Sequence, residues 1–111
     1  MKVAGKSIQM FNNLAIYLMS IGDNDRAMEV LNTVIAANDS APEPHDNLAR
    51  IYLERGDFVN AKAEFMRALE IDPKNRNSLM GLRSLYDRRG EAGEAMKIEQ
   101  RIRAIERDER L

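Results

Sequence analysis

The sequence predicts an all-α fold, a solenoid of three helix–turn–helix repeats containing six helices. The first observation is self-similarity at an offset of 34 residues, which links the glycines at positions 22, 56 and 90. The second is helical periodicity, because apolar residues recur at helical spacing from Leu48 and again after Gly56. A repeat of two short amphipathic helices cannot bury its apolar face alone, so about three of them must stack to form a core.

The offset divides a single domain, 1–111, into repeats at 8–41, 42–75 and 76–109. We predict no strand and six helices, near 3–21, 24–37, 43–55, 58–71, 75–89 and 92–110. The three glycines stand where a helix ends in a turn of left-handed backbone, and the acidic residue after each one opens the next helix. Ser40 and Glu43 have the spacing of a capping box before the third helix.

Composition narrows the function. The chain has 111 residues, 17 Lys and Arg against 18 Asp and Glu, a net charge of −1 and 44% hydrophobic residues. This balance fits a folded soluble domain and disfavours nucleic-acid binding, which needs a surplus of positive charge. No stretch approaches the ~20 apolar residues that span a membrane, so we expect no membrane insertion. We expect a cytoplasmic protein, unless the chain belongs to a longer one with its own targeting signal.

Little in the sequence points to chemistry. With no Cys and one His, a thiolate or polyhistidine metal site is excluded within one chain, and we expect no metal, no cofactor and no catalytic residue. His45 beside Glu43 could suggest an acid–base pair or a metal ligand. The repeat register instead aligns His45 with Phe11 and Leu79, where a large semi-buried side chain opens each first helix. We therefore predict a structural role for His45 and a protein that is not an enzyme.

The middle repeat resembles the tetratricopeptide repeat, a helix–turn–helix unit of 34 residues. The matching residues are Leu48, Ala49, Tyr52, Gly56, Ala61, Phe65, Ala68 and Pro73. The resemblance implies a right-handed superhelix whose first helices line a concave groove. It also implies a protein–protein interaction module that binds a peptide or partner segment in that groove.

The expected groove face is the side of each first helix opposite the core, and we expect it to be exposed. Its candidate binding residues are Gln9, Asn12, Asn13, Ile16, Asp46, Asn47, Arg50, Asn77, Met80 and Ser84. Asparagine has poor helix propensity, so its enrichment here favours a function. Its amide can donate to and accept from a bound main chain, and Asn13 and Asn47 look like the asparagines that clamp peptide backbone in this family. An incidental polar surface is the alternative.

One variant of the family binds chaperone C-terminal carboxylates with two Lys, two Asn and an Arg or Lys. Only Asn47 matches that set here, and Asn12, Ile16, Asn77 and Gly81 occupy the other four places. Because no cationic ring is present, we expect no ligand of that class.

A second candidate surface is an apolar stripe at the N-terminal edge, which we name the N-terminal stripe: Val3, Met10, Tyr17 and Ile21. It belongs neither to the predicted core nor to the predicted groove. Three interpretations remain open at this point. The stripe packs on sequence outside this chain, or pairs with another copy in a homodimeric scaffold, or stays partly exposed.

Overall fold

The structure is a computed structural model that describes residues 5–110, with side chains from residue 7 onward. Six helices follow one another: α1 Gly5–Ser20, α2 Asn24–Ala37, α3 Pro42–Glu54, α4 Phe58–Ile71, α5 Arg76–Arg88 and α6 Ala92–Glu109. No strand occurs within residues 5–110. The all-α helical-repeat solenoid is therefore confirmed, with α6 four residues longer than α2 and α4.

Each repeat turns at a glycine with left-handed backbone. Gly22, Gly56 and Gly90 have φ angles of 82°, 77° and 73°. Each glycine N–H donates to the carbonyl three residues earlier, and the next N–H reaches back five residues, which is the Schellman arrangement. Asp23 and Asp57 then cap α2 and α4, because each side chain accepts a hydrogen bond from the backbone N–H three residues later. The sequence predicted these turns correctly.

The capping box predicted at Ser40 and Glu43 is wrong. Helix α3 begins after Ala41, whose side chain makes no capping hydrogen bond, and Pro42 occupies its first turn. Proline suits this place because a free N–H there would lack a partner inside the helix. Ser40 instead donates from both its backbone N–H and its hydroxyl to Asn38 Oδ1, within the connection before α3.

The core consists of two clusters, and each one draws side chains from two successive repeats. The first contains Ala15, Leu18, Ala27, Leu31, Leu48 and Ile51. The second contains Ala49, Ala61, Phe65, Leu69, Leu79, Leu82, Leu85, Tyr86, Ala95, Ile98 and Ile102. Half-buried Tyr52 packs against both clusters. Each repeat is thus buried by its neighbour, as expected for a solenoid.

Repeats two and three approach closely where α5 crosses the Phe65 ring of α4. Phe65 is fully buried, and a Cβ built at Gly81 would overlap Cε1 and Cζ of that ring. Only a hydrogen atom fits at position 81 without movement of the ring or of α5. A larger residue at this position would therefore displace the ring or move the two repeats apart.

Two buried hydrogen bonds join the three first helices. Asn47 Nδ2 donates to Asn12 Oδ1 over 3.2 Å, and Ser78 Oγ donates to Asp46 Oδ1 over 3.1 Å. None of the four side chains is more than 9% exposed. Burial raises the pKa of Asp46, although the bond from Ser78 and the positive charge of Arg50 act in the opposite direction.

We predict that Gly81→Ala lowers the free energy of unfolding, because overpacking a filled core costs about 1–3 kcal/mol. That cost outweighs the gain of about 0.5–1 kcal/mol from replacing a helical glycine. Gly93→Ala is the matched control, since a Cβ there meets nothing within 4 Å. It should leave stability unchanged or raise it. Urea denaturation measures both variants, and equal stabilities would contradict the proposed role of Gly81.

We also predict that Asp46→Asn raises the melting temperature near pH 7. A raised pKa means that the folded chain binds the proton more tightly than the unfolded chain, so ionised Asp46 costs stability above its titration range. The advantage of the variant should shrink as the pH falls, because Asp46 of the wild type is then protonated as well. Asp46→Ala is the control, and it should be destabilised because Ser78 loses its acceptor. If Asp46→Asn melts below the wild type at neutral pH, the carboxylate stabilises the fold.

Candidate functional site: the concave groove

The exposed faces of α1, α3 and α5 form a groove, since these first helices lie side by side. Its volume is about 710 Å³. The lining residues are Ile16, Met19, Ser20, Asn47, Arg50, Leu53, Glu54, Asn77, Met80, Gly81, Ser84 and Arg88. All three repeats contribute to this surface through their first helices.

Six of the ten candidate binding residues line the groove: Ile16, Asn47, Arg50, Asn77, Met80 and Ser84. The lining also contains Gly81 and five residues that were missed from the sequence: Met19, Ser20, Leu53, Glu54 and Arg88. Each missed residue follows a predicted lining residue by three or four positions. Extending the same helical stripe by one turn would therefore have found all of them.

The expectation that the whole polar face is exposed is wrong for Asn12, Asp46 and Asn47. These side chains are buried, because the N-terminal halves of the first helices pack closely and use them as hydrogen-bonding partners. Asn47 reaches the groove wall with only 6% of its surface exposed, and its amide already donates to Asn12.

The remaining two candidates, Gln9 and Asn13, are exposed on α1 outside the lining of the groove. Gln9 Nε2 donates to Asn13 Oδ1 over 3.2 Å, one helical turn along. Asn13 and Asn47 therefore differ in environment although they share a register position. These two residues therefore do not form a symmetric pair that could clamp a peptide backbone.

The groove lining carries two cations, Arg50 and Arg88, and one acid, Glu54, with apolar side chains beside Arg50. Arg50 of α3 is exposed, while Ile16 of α1 and Met80 of α5 flank it with 49% and 45% of their surfaces exposed. Arg88 is held in place, because its Nη1 donates to the Leu53 carbonyl over 2.7 Å. Helix α1 contributes no charge to the groove, since residues 7–22 include no Asp, Glu, Lys, Arg or His.

His45 lies away from this groove and is more deeply buried than the sequence predicted. Only 2% of its side chain is exposed, with Nδ1 at 2.6 Å from Glu64 Oε2 and Nε2 beside Asp39 Oδ1. A protonated ring donates to both carboxylates and a neutral ring to one of them. These contacts tie the α2–α3 connection to α3 and α4. Among residues 5–110, no cluster of His, Cys, Asp and Glu is arranged to hold a metal ion.

The N-terminal stripe is exposed as far as the structure describes it. Met10, Tyr17 and Ile21 have 70%, 59% and 58% of their surfaces exposed, and Val3 lies outside the described residues. The 34-residue offset aligns Leu14 with the buried leucines Leu48 and Leu82, yet 42% of Leu14 is exposed beside the stripe. None of the helices described is long and apolar enough to cross a membrane.

Comparison with known proteins identifies the repeats. Family models described as tetratricopeptide repeat match residues 8–40 and 42–75, together more than half of the chain. Cellulose synthase operon protein C from Xanthomonas axonopodis pv. citri (strain 306) is 33% identical over 86 residues, or 78% of this chain. The chain spans only 6% of the length of that relative.

Solved structures share the fold at low sequence identity. MamA superimposes with a TM-score of 0.85 and 19% identity over 92% of this chain and 60% of its own. The first TPR of Spaghetti (RPAP3), bound to the HSP90 peptide SRMEEVD, has a TM-score of 0.86 and 16% identity over 96% of this chain and 84% of its own.

A third structure is the Yersinia enterocolitica type III secretion chaperone SycD in complex with a peptide of the translocator YopD. It has a TM-score of 0.77 and 12% identity over 98% of this chain and 99% of its own. Such identities show a common fold. Together with the two matched repeats, they show that the chain belongs to the tetratricopeptide repeat family, whose members are protein–protein interaction modules.

Proposed function

We propose that the chain binds an extended segment of a partner protein in the concave groove and catalyses no reaction. The observation that carries this proposal is the groove, which has a volume of about 710 Å³ and is lined by all three first helices. A segment laid across α1, α3 and α5 would contact all three repeats at once. The peptide complexes of Spaghetti and SycD support this mode of binding by analogy of fold.

The side chains of the groove favour a particular chemistry in the partner. Arg50 at the centre would pair with an acidic side chain through a charge-assisted hydrogen bond. Ile16 and Met80, on either side of Arg50, would contact apolar side chains. We therefore propose a segment in which one acidic residue lies between two apolar residues.

Exposed polar groups of α5 would bind the main chain of the segment. Asn77 and Ser84 line the groove, and each can both donate and accept a hydrogen bond. Asn47 is less suited to this role than its sequence position predicted, because its amide is engaged by Asn12. Removal of Asn47 would also disturb the packing of α1 on α3, so it is a poor probe of binding.

A chain terminus is a less suitable ligand than an internal acidic residue. The four places of the carboxylate-binding variant other than that of Asn47 hold Asn12, Ile16, Asn77 and Gly81, none of which is positively charged. The groove has two cations, Arg50 and Arg88, and Arg88 already donates to the Leu53 carbonyl. Arg50 would thus be the cation available to a ligand, enough for one side-chain carboxylate and too little for a terminal carboxylate beside further acids. The HSP90 peptide bound to Spaghetti therefore does not identify the ligand of this chain.

We predict that peptides of the pattern apolar–acidic–apolar bind the wild type and that Arg50→Gln weakens them about ten- to hundredfold. Hydrogen bonds to charged groups contribute about 1.5–3 kcal/mol, which corresponds to that range of affinity. The measurement uses an array of synthetic peptides, followed by fluorescence anisotropy on the tightest binders. Replacing the acidic residue of a peptide with glutamine should cause a similar loss. The two changes together should cost little more than either one alone.

Two matched controls separate groove binding from nonspecific attraction. Arg26→Gln removes the same charge from α2, where 75% of the Arg26 side chain is exposed, and should leave affinity unchanged. Met80→Ala should weaken binding, whereas Met96→Ala removes a comparably exposed methionine from α6 and should have no effect. If peptides bind Arg50→Gln and Met80→Ala as tightly as the wild type, the groove is not the binding site.

A further inference from the structure

One face of α1 is apolar and uncovered within residues 5–110. We name it the α1 outer face and define it by Met10, Leu14, Tyr17 and Ile21. These residues follow one another at intervals of four, three and four, so they form a single stripe along the helix. Each is between 42% and 70% exposed. The groove residues of α1, such as Ile16 and Ser20, lie about 90–130° away around the same helix.

In the second and third repeats, the face equivalent to the α1 outer face is covered by another helix. One repeat later, the residues equivalent to its first three members are Pro44, Leu48 and Ile51, and all are buried. Two repeats later, the equivalents Ser78, Leu82 and Leu85 are buried as well. In both cases the second helix of the preceding repeat supplies the cover. No helix in the described part of the chain does the same for α1.

The opposite edge of the solenoid, at α6, carries paired charges where the earlier repeats have apolar side chains. Glu99 stands where the two earlier repeats place the buried Leu31 and Phe65. It forms ion pairs with Arg83 and with Arg103, the latter over 3.3 Å. The hydrogen bond from Arg83 is the main reason that the pKa of Glu99 lies below its ordinary value. An apolar face docked here would strip water from these charges, which disfavours head-to-tail stacking of copies of the chain.

Contact between two copies of the α1 outer face meets no such obstacle. A two-fold axis brings identical surfaces together, so any charge on the face would enter the contact twice with the same sign. Helix α1 has no charged residue from Ser7 onward, and the first one after it is Asp23. The face is therefore neutral toward itself, in a chain where 32% of residues are charged.

The exposed area of these four side chains comes close to what a specific pair requires. Four side chains of about 200 Å² each, a little over half exposed, offer roughly 450 Å² per chain. Two copies would bury about twice that from these side chains alone, which approaches the ~1,000 Å² at which specific interfaces begin. Neighbouring surface of α1 and α2 would add to this area.

We propose that the α1 outer face is a self-association surface, on which two copies of this chain pack α1 against α1 about a two-fold axis. In such a pair the charged α6 edge of each copy faces outward and offers no apolar surface to a third copy. The grooves stay open, because their residues lie on a different side of α1. Pairing does not depend on the proposed peptide binding, so each proposal can fail without the other.

Sedimentation velocity from about 5 to 500 μM tests the pairing. The wild type should shift from 12.7 kDa toward twice that mass as concentration rises. Tyr17→Glu should remain monomeric, because it places two like charges in the contact. Met96→Glu is the matched control, since Met96 is 63% exposed on α6, and it should pair like the wild type. Circular dichroism checks that both variants fold.

Cysteine cross-linking then locates the contact. The chain has no native Cys, so one introduced thiol gives an unambiguous result. Leu14→Cys lies near the middle of the face and should form a disulfide-linked dimer on mild oxidation, whereas Met96→Cys should not. A wild type that stays monomeric throughout the concentration range would overturn the proposal. Dimers that persist in Tyr17→Glu, or that cross-link only through Met96→Cys, would overturn it as well.

Discussion

The stacking of α3 and of α5 on the second helix of the preceding repeat is the constraint on which the whole structure depends. At Gly81, against the ring of Phe65, this stacking leaves no room for a side chain. Both core clusters cross a repeat boundary, so the repeats are stable together and not singly. The same stacking sets α1, α3 and α5 side by side, and the groove follows from that arrangement.

Several polar residues on the groove side of the first helices are buried and belong to the packing between helices. Hydrogen bonds between the first helices use the polar groups of Asn12, Asp46, Asn47 and Ser78. The exposed side chains of the groove, Arg50 and Met80 among them, remain available for the proposed binding. A polar residue can thus be retained because it fixes the spacing of two helices, even when its sequence position suggests a ligand.

The sequence was sufficient for the repeat period, the helices and the glycine turns, because these depend on local periodicity and backbone conformation. It was insufficient where tertiary packing decides exposure. Asn13 and Asn47 share a register position, yet one is exposed and the other buried, because only α3 has first helices on both sides. His45 could be placed in the core from its register, but its carboxylate partners Asp39 and Glu64 could not, since they come from other elements.

Chemical-shift mapping by NMR tests the central claim, that a partner segment lies across the three first helices, most directly. The ¹⁵N-labelled chain would be titrated with the tightest peptide from the array. If the segment lies in the groove, we expect the largest shifts at the amides around Ile16, Arg50 and Met80, with α2 and α6 little affected. Shifts concentrated on α2, α4 or α6 would place the peptide outside the groove and contradict the account.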